Sequence, residues 1–441
     1  MRMTGLSLDT IPPIHIPFRF FNTAPWMGLA AALILLWEGG RVFDSQWNPE
    51  LMGITHLLTL GFMAMVMLGA MFQLVPVISG EPIPGGGKVA TLVHSLLLFG
   101  LLLLVAGFCW QDWNLFRWAI PLLLLAFSVF IAALASLLLR RIGGGDSIYS
   151  IRFAALSLVV TLALGMLRAA QYLGLATSFP LVNITNTHIA WGLGGWVLLL
   201  VMGVSYQVIP MFHVTPNFPT PLARAMPTAV FLSLLLLTVA QHPLLQALAM
   251  IIWCGAALIY GLFCARLLNR RKRKIPDVTA RFWHLALASL MAAALLQLGF
   301  YFGAHWVPGG VVFNKAPVAI GILMIYGFAV SVIMGMLQKI VPFLSFLHLQ
   351  RRCMTSFELL KTLPHMGKIV PALRSRWQFR IHLAALMMVL VTAMAGAMAE
   401  LAAVLMAVDF GWLGFTLASA TQLYIKTSAR IERDSISSAS C

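Results

Sequence analysis

Two histidines carry the strongest chemical signal in this chain of 441 residues. His56 opens the apolar run THLLTLGFMAMVMLGAMFQLVP over 55–76, and His188 opens THIAWGLGGWVLLLVMGVSYQVIP over 187–210. Both runs hold a glycine seven residues ahead of a proline, Gly69 with Pro76 and Gly203 with Pro210. A third run repeats that ending with Gly335 and Pro342, but residues 317–322 stand where its histidine would be. Ionisable groups are costly in hydrocarbon, so an imidazole inside an apolar helix is a candidate for function. Two neutral imidazoles at one depth suit a planar iron porphyrin, which takes one ring nitrogen on each face and needs apolar walls. The alternative is that each histidine hydrogen-bonds a neighbouring helix. A symmetric three-histidine metal cage is not expected.

Arg168 is the most anomalous charge, about two turns inside an apolar run. A buried guanidinium needs an anionic partner, and its planar fork suits a carboxylate. Glu38 at the same end of the first run is one such partner, and a heme propionate is another. Gln73, Tyr206, Gln207, Gln338 and Lys339 gather at the opposite ends of the three runs, either as a polar vestibule or as groups satisfying carbonyls freed near a proline. His94 and His382 occupy equivalent places and read as interfacial, as do His213, His284 and His348. Glu400 and Asp409 read as marking the interface at the last turn. His242 and His305 fall in turns, with His305 an extra ligand candidate. Met63 and Met67 share the His56 face and read as core packing.

The elements that must position these residues are membrane spans. The chain is 61% hydrophobic and only 10% charged, with a mean hydropathy of +0.92. Globular domains carry about 25% charged residues. Apolar runs long enough to cross a hydrocarbon layer of about 30 Å recur throughout, and runs of this kind satisfy their backbone in lipid as helices. Twelve spans are expected, the first near 24–43 and the last two near 380–401 and 403–425. The net charge of +16 does not point to nucleic acid, because the basic residues flank the spans. With the N-terminus inside, 25 of the 29 Lys and Arg residues fall on the cytoplasmic side. The expected location is therefore the inner membrane of a bacterium, multi-pass, with both termini cytoplasmic. The five cysteines show no pairing pattern. Trp37, Trp47, Trp110, Trp113, Trp118, Trp306 and Trp412 form an expected aromatic belt at the periplasmic edge.

The runs also repeat. Arg19-Phe20, Arg152-Phe153 and Arg281-Phe282 open the first, fifth and ninth spans, at offsets of 133 and 129, and the glycines follow at 134 and 132. The expected fold is an all-α polytopic membrane protein, with twelve transmembrane helices in three four-helix repeats around a pseudo-threefold axis. The units are 1–145, 146–275 and 276–441, the last with a cytoplasmic loop near 350–379 and an interfacial helix around 357–363.

Twelve spans in three arcs of four, with His56 near the periplasmic start of the second, resemble the catalytic subunit of heme–copper oxidases. There the second-span histidine is an axial ligand of a low-spin heme. The segment from His56 to Pro76 is also similar to the NnrS family, heme- and copper-containing membrane proteins linked to nitric oxide response. The resemblance implies a b-type heme on His56, with His188 as second ligand and Arg168 near a propionate. The oxidase pattern places an HxH in the tenth span, whereas here that span has no histidine before His348. A binuclear oxygen-reducing centre is therefore not expected, and copper has no ligand set of its own. The implied role is electron transfer or nitric oxide response beside a respiratory partner. The alternatives are a cofactor-free transporter, an assembly factor or a quinol-handling anchor.

Overall fold

The computed structural model describes residues 10–139, 145–175, 181–272, 277–303, 311–353 and 357–439. Every regular element among them is helical. Twelve helices are long and apolar enough to cross a bilayer, making this a multi-pass membrane protein. They are α1 (His15–Phe43), α2 (Pro49–Ser79), α3 (Gly86–Cys109), α4 (Trp113–Leu138), α5 (Asp146–Tyr172) and α6 (Asn183–His213). The second half holds α7 (Thr220–Val239), α8 (Pro243–Asn269), α9 (Val278–Gly303), α10 (Asn314–Arg352), α11 (Ala372–Ala395) and α12 (Ala399–Asp434). The turns at 44–48, 110–112, 240–242 and 396–398 fall at one end of the bundle, the distal end. The opposite, basal end carries the loops at 80–85 and 214–219 and residues 357–371, which contain the short helix Phe357–Lys361.

Helices α2, α6 and α10 form the centre. Their most apolar stretches are 78%, 67% and 78% buried, against 50% or less for every other span. Each contains an eight-residue π-helical stretch, Leu57–Ala64, Ala190–Val197 and Leu323–Val330, with starts 133 residues apart. π turns are rare and concentrate at functional sites. The third π stretch packs against both others, which brings the three to one level. Around this centre, α1 packs along α12, so the last span closes against the first.

The recurring glycines and Arg-Phe pairs have a common cause. A Cβ on Gly69 would stand 2.7 Å from the Cβ of Phe20, and one on Gly335 2.6 Å from that of Phe282. Both phenylalanines are fully buried, so the glycine is the notch that admits the ring. In α6 the notch at Gly203 takes Ile151 and Ser150 of α5 instead.

Several expected boundaries move, and the first span starts at His15 rather than 24. The eleventh span runs over Ala372–Ala395 rather than 380–401, and the twelfth starts at Ala399 rather than 403. The turn between them closes on Gly396, φ +69°, with Met398 at φ +63°. The apolar run passes through this turn without a polar break, so only the left-handed glycine marks it.

Candidate functional site

The distal half of the bundle encloses a mostly apolar cavity of about 920 Å³, and His56, His188 and Arg168 all line it. Volumes of about 300–1,000 Å³ are usual for small-molecule and cofactor sites. The inner helices bring the two imidazoles here because each histidine stands within two residues of the start of a π stretch, at the level where the central helices meet. Both are only partly buried, and they lie within electrostatic reach of each other.

The hydrogen bonds fix which nitrogen is free. His56 Nδ1 donates to Met52 O at 2.8 Å, and His188 Nδ1 donates to Thr161 O, on α5, at 2.9 Å. A carbonyl only accepts, so each Nδ1 carries the hydrogen, and a neutral ring then bears its lone pair on Nε2. Neither Nε2 has a protein partner among the described residues. A backbone carbonyl on Nδ1 with Nε2 open is the usual arrangement of a metal-ligating histidine. Phe108 stacks on the His56 ring at 5.3 Å. Gly165 makes room for His188, since a Cβ there would stand 3.0 Å from Cε1 and 3.3 Å from Nδ1. Thr161 and Gly165 are one helical turn apart, so the missing side chain opens the Thr161 carbonyl to the ring.

Arg168 does not pair with Glu38, which bonds Arg41 instead, three residues along its own strand of chain. Arg168 Nη2 donates to the Tyr172 hydroxyl at 3.0 Å, with its guanidinium 4.1 Å above that ring. Tyr172 stacks on Trp113 at 4.5 Å and donates to Met52 Sδ at 3.8 Å. Arg168 thus has no carboxylate partner among the described residues, and a cation left uncompensated beside an apolar cavity favours an anionic occupant. Sequence reasoning missed Tyr172, Gly165 and Thr161, because a contact between spans leaves no mark in spacing along one span.

The basal polar residues do not reach this cavity. Lys339 Nζ lies 2.8 Å from Asp277 Oδ2, and His213 Nδ1 lies 3.5 Å from the same oxygen. Asp277 Oδ1 accepts from the backbone N–H and hydroxyl of Thr279, at 3.0 and 2.7 Å. Burial pushes the Asp277 carboxyl upward, but the nearby His213 ring and the hydrogen bonds from Lys339 and Thr279, with the Lys339 charge, hold it well below the usual range. His213 is buried, not interfacial. Gln73 Oε1, Tyr206 Oη and Gln338 Oε1 find no protein partner.

Four further expectations are corrected. Asp409 is fully buried and lies ten residues inside α12, because the preceding turn closes at 396–398 rather than beyond Glu400. His382 is fully buried against it, with Nδ1 2.7 Å from Asp409 Oδ2. His94 is half-buried in a helix contact, bonded to Thr23 Oγ1 at 2.9 Å and edge-on to Phe20 at 5.1 Å. Trp412 leaves the expected belt, because its indole N–H donates to Arg374 O near the basal start of α11, at 3.1 Å. Trp37, Trp110 and Trp118 are exposed at the distal end. Met63 and Met67 are buried core, and His305, Trp306 and Cys441 lie outside the described residues.

Among the described residues, no three His, Cys, Asp or Glu side chains cluster as they would to hold a metal ion on their own. No protein-family model matches the chain, and no curated protein matches it.

Proposed function

We propose that this chain is an integral membrane protein that binds a b-type heme, related to heme–copper oxidases and NnrS proteins, and serves electron transfer or nitric oxide response without a binuclear oxygen-reducing centre. One observation carries the reading: two imidazoles, each with Nδ1 committed to a backbone carbonyl and Nε2 unpartnered, line one apolar cavity. These residues fit the group. His56 and His188 would hold the iron, Phe108 would give an aromatic wall, and Arg168 would meet a propionate. Heme bound there would supply a one-electron couple or an iron site for a small gas. The chain's own work is to hold both rings in the Nδ1–H tautomer, exclude water with apolar walls, and keep a positive charge for the carboxylate.

The architecture that goes with this reading is three four-helix units, 1–145, 146–275 and 276–441, about a pseudo-threefold axis. The matched π stretches and the notches at Gly69 and Gly335 support it. The location is the inner membrane of a bacterium, with both termini cytoplasmic, and the partner is a respiratory or electron-transfer protein. The test is the visible spectrum of detergent-purified protein, oxidised and then dithionite-reduced. Sharp reduced bands that disappear in His56→Ala and His188→Ala are expected. Bands unchanged in both variants reject the ligand assignment, and a colourless protein favours a cofactor-free transporter or assembly factor.

A further inference from the structure

Two arginines stand on the lipid-facing side of α11. The exposed apolar residues Leu373, Trp377, Leu383, Met387, Val391 and Met394 recur along this helix at helical spacing and form one stripe. Arg376 and Arg380 are exposed as well. At about 100° per residue both fall within the stripe, with Arg380 near its middle. The buried residues Gln378, His382, Ala385 and Val389 occupy the opposite side. Counted back from Ala395 at the distal turn, a hydrocarbon layer of about 30 Å takes about 20 residues, so its basal edge falls at Arg376. Arg380 lies one turn, about 6 Å, inside that edge.

Neither guanidinium has a carboxylate or a hydrogen-bond acceptor among the described residues. Arg380 lies 5.0 Å from the centre of the Trp377 ring, a contact that covers one face of the guanidinium and gives its N–H donors no acceptor. Arg374, on the flank of the stripe, sits 4.8 Å over Phe415 of α12, also without a carboxylate. Phe415 is 54% exposed, so this third cation borders the lipid-facing surface too. A cation against hydrocarbon is costly, and long side chains so placed turn their heads to the membrane surface.

We propose that Arg376 and Arg380, flanked by Arg374, bind the phosphate of an anionic glycerophospholipid whose acyl chains lie along the stripe from Trp377 to Met387. A guanidinium fork matches two phosphate oxygens, and two forks one turn apart serve a single headgroup. Charge selects this occupant. A second copy of the chain docked two-fold through this face brings the same arginines against their equals. A zwitterionic lipid carries its own cation, which offsets the attraction. The site is separate from the central cavity, whose lining takes Val389 from the opposite side of α11. The competing account is that both arginines reach only water, and it predicts no preference among lipids.

The test is native mass spectrometry of the full chain in detergent, with phosphatidylglycerol or phosphatidylcholine of the same acyl chains added. Preferential retention of phosphatidylglycerol is expected. A cation at the membrane surface strengthens binding to anionic lipid by about fivefold. Arg376→Gln and Arg380→Gln are therefore each expected to weaken phosphatidylglycerol binding about fivefold, and the double variant about 25-fold. Arg433→Gln, exposed near the basal end of α12, is expected to leave it unchanged. Equal retention of the two lipids, unchanged binding in the double variant, or an equal loss in Arg433→Gln overturns the site. A dimer that the double variant abolishes overturns the choice of occupant. Where the glutamine variants fail to fold, Arg376→Lys with Arg380→Lys keeps the charge and removes the forks. Weaker binding is expected there, and unchanged binding overturns the bidentate contact. None of these results involves heme, so a colourless protein that still selects phosphatidylglycerol separates the two proposals.

Discussion

At the scale of single residues, the cavity is organised by what each histidine does with Nδ1. A ring that donates from Nδ1 to a carbonyl is held in one tautomer and one orientation, and removing such outer partners typically costs about 10–100-fold in metal affinity. His188 depends on Gly165 for this contact, since any Cβ there presses on Cε1 and Nδ1. Gly165→Val is therefore expected to weaken binding of the proposed heme by about 10–100-fold with little change in melting temperature, as read by absorbance titration of the apo-protein. Unchanged affinity would show that the Thr161 bond is dispensable. The histidines were legible in the sequence because equal depth and equal distance from an Arg-Phe pair are properties of a linear pattern. Gly165, Thr161 and Tyr172 were not, because their importance arises only where α5 meets another span. Asp409 failed for a related reason: a one-turn error in placing a turn moved a mid-membrane carboxylate to the surface.

At the scale of elements, close packing and one ion pair tie the inner helices to their neighbours. Gly335 admits Phe282, and overpacking such a notch costs typically about 1–3 kcal/mol. Gly335→Val should lower thermal stability in detergent accordingly, and adding Phe282→Ala should recover part of the loss, since the two sites are in contact. Additive losses would mean that the notch is not the cause. At the basal end, Asp277 joins α6, α9 and α10 through His213, Thr279 and Lys339. Its carboxyl is held below the ordinary value of about 3.9. The stabilisation is therefore present above that value and is lost as pH falls through the lower folded one. Asp277→Asn keeps the cap on Thr279 and removes only the charge. It should cost about 1–3 kcal/mol near neutral pH, between the values for exposed and buried pairs. The variant should also flatten the loss of stability seen on acidification below about pH 4, measured by unfolding at several pH values. The helices themselves were legible from apolar run length. The π stretches were not, because a shift in hydrogen-bond register leaves no compositional trace.

At the scale of the whole molecule, the number and order of spans followed from hydropathy alone, while the cavity between them did not, because its walls come from many spans and each looks like ordinary apolar helix. Charge supplies what hydropathy lacks. Among the 24 described Lys and Arg residues, 20 lie toward the basal end and Arg41, Arg117 and Lys315 toward the distal end, with Arg168 inside α5. A bias of this size orients a polytopic chain with its basic side in the cytoplasm. On the proposed orientation the cavity, which opens among distal residues such as Trp47 and Asn183, would face the periplasm. Fusions in intact cells check this directly. Green fluorescent protein joined after α12 should fluoresce, and alkaline phosphatase inserted in the turn at 240–242 should be active. The reverse pattern would turn the cavity to the cytoplasm, so that an electron partner of the proposed heme would have to be sought there instead.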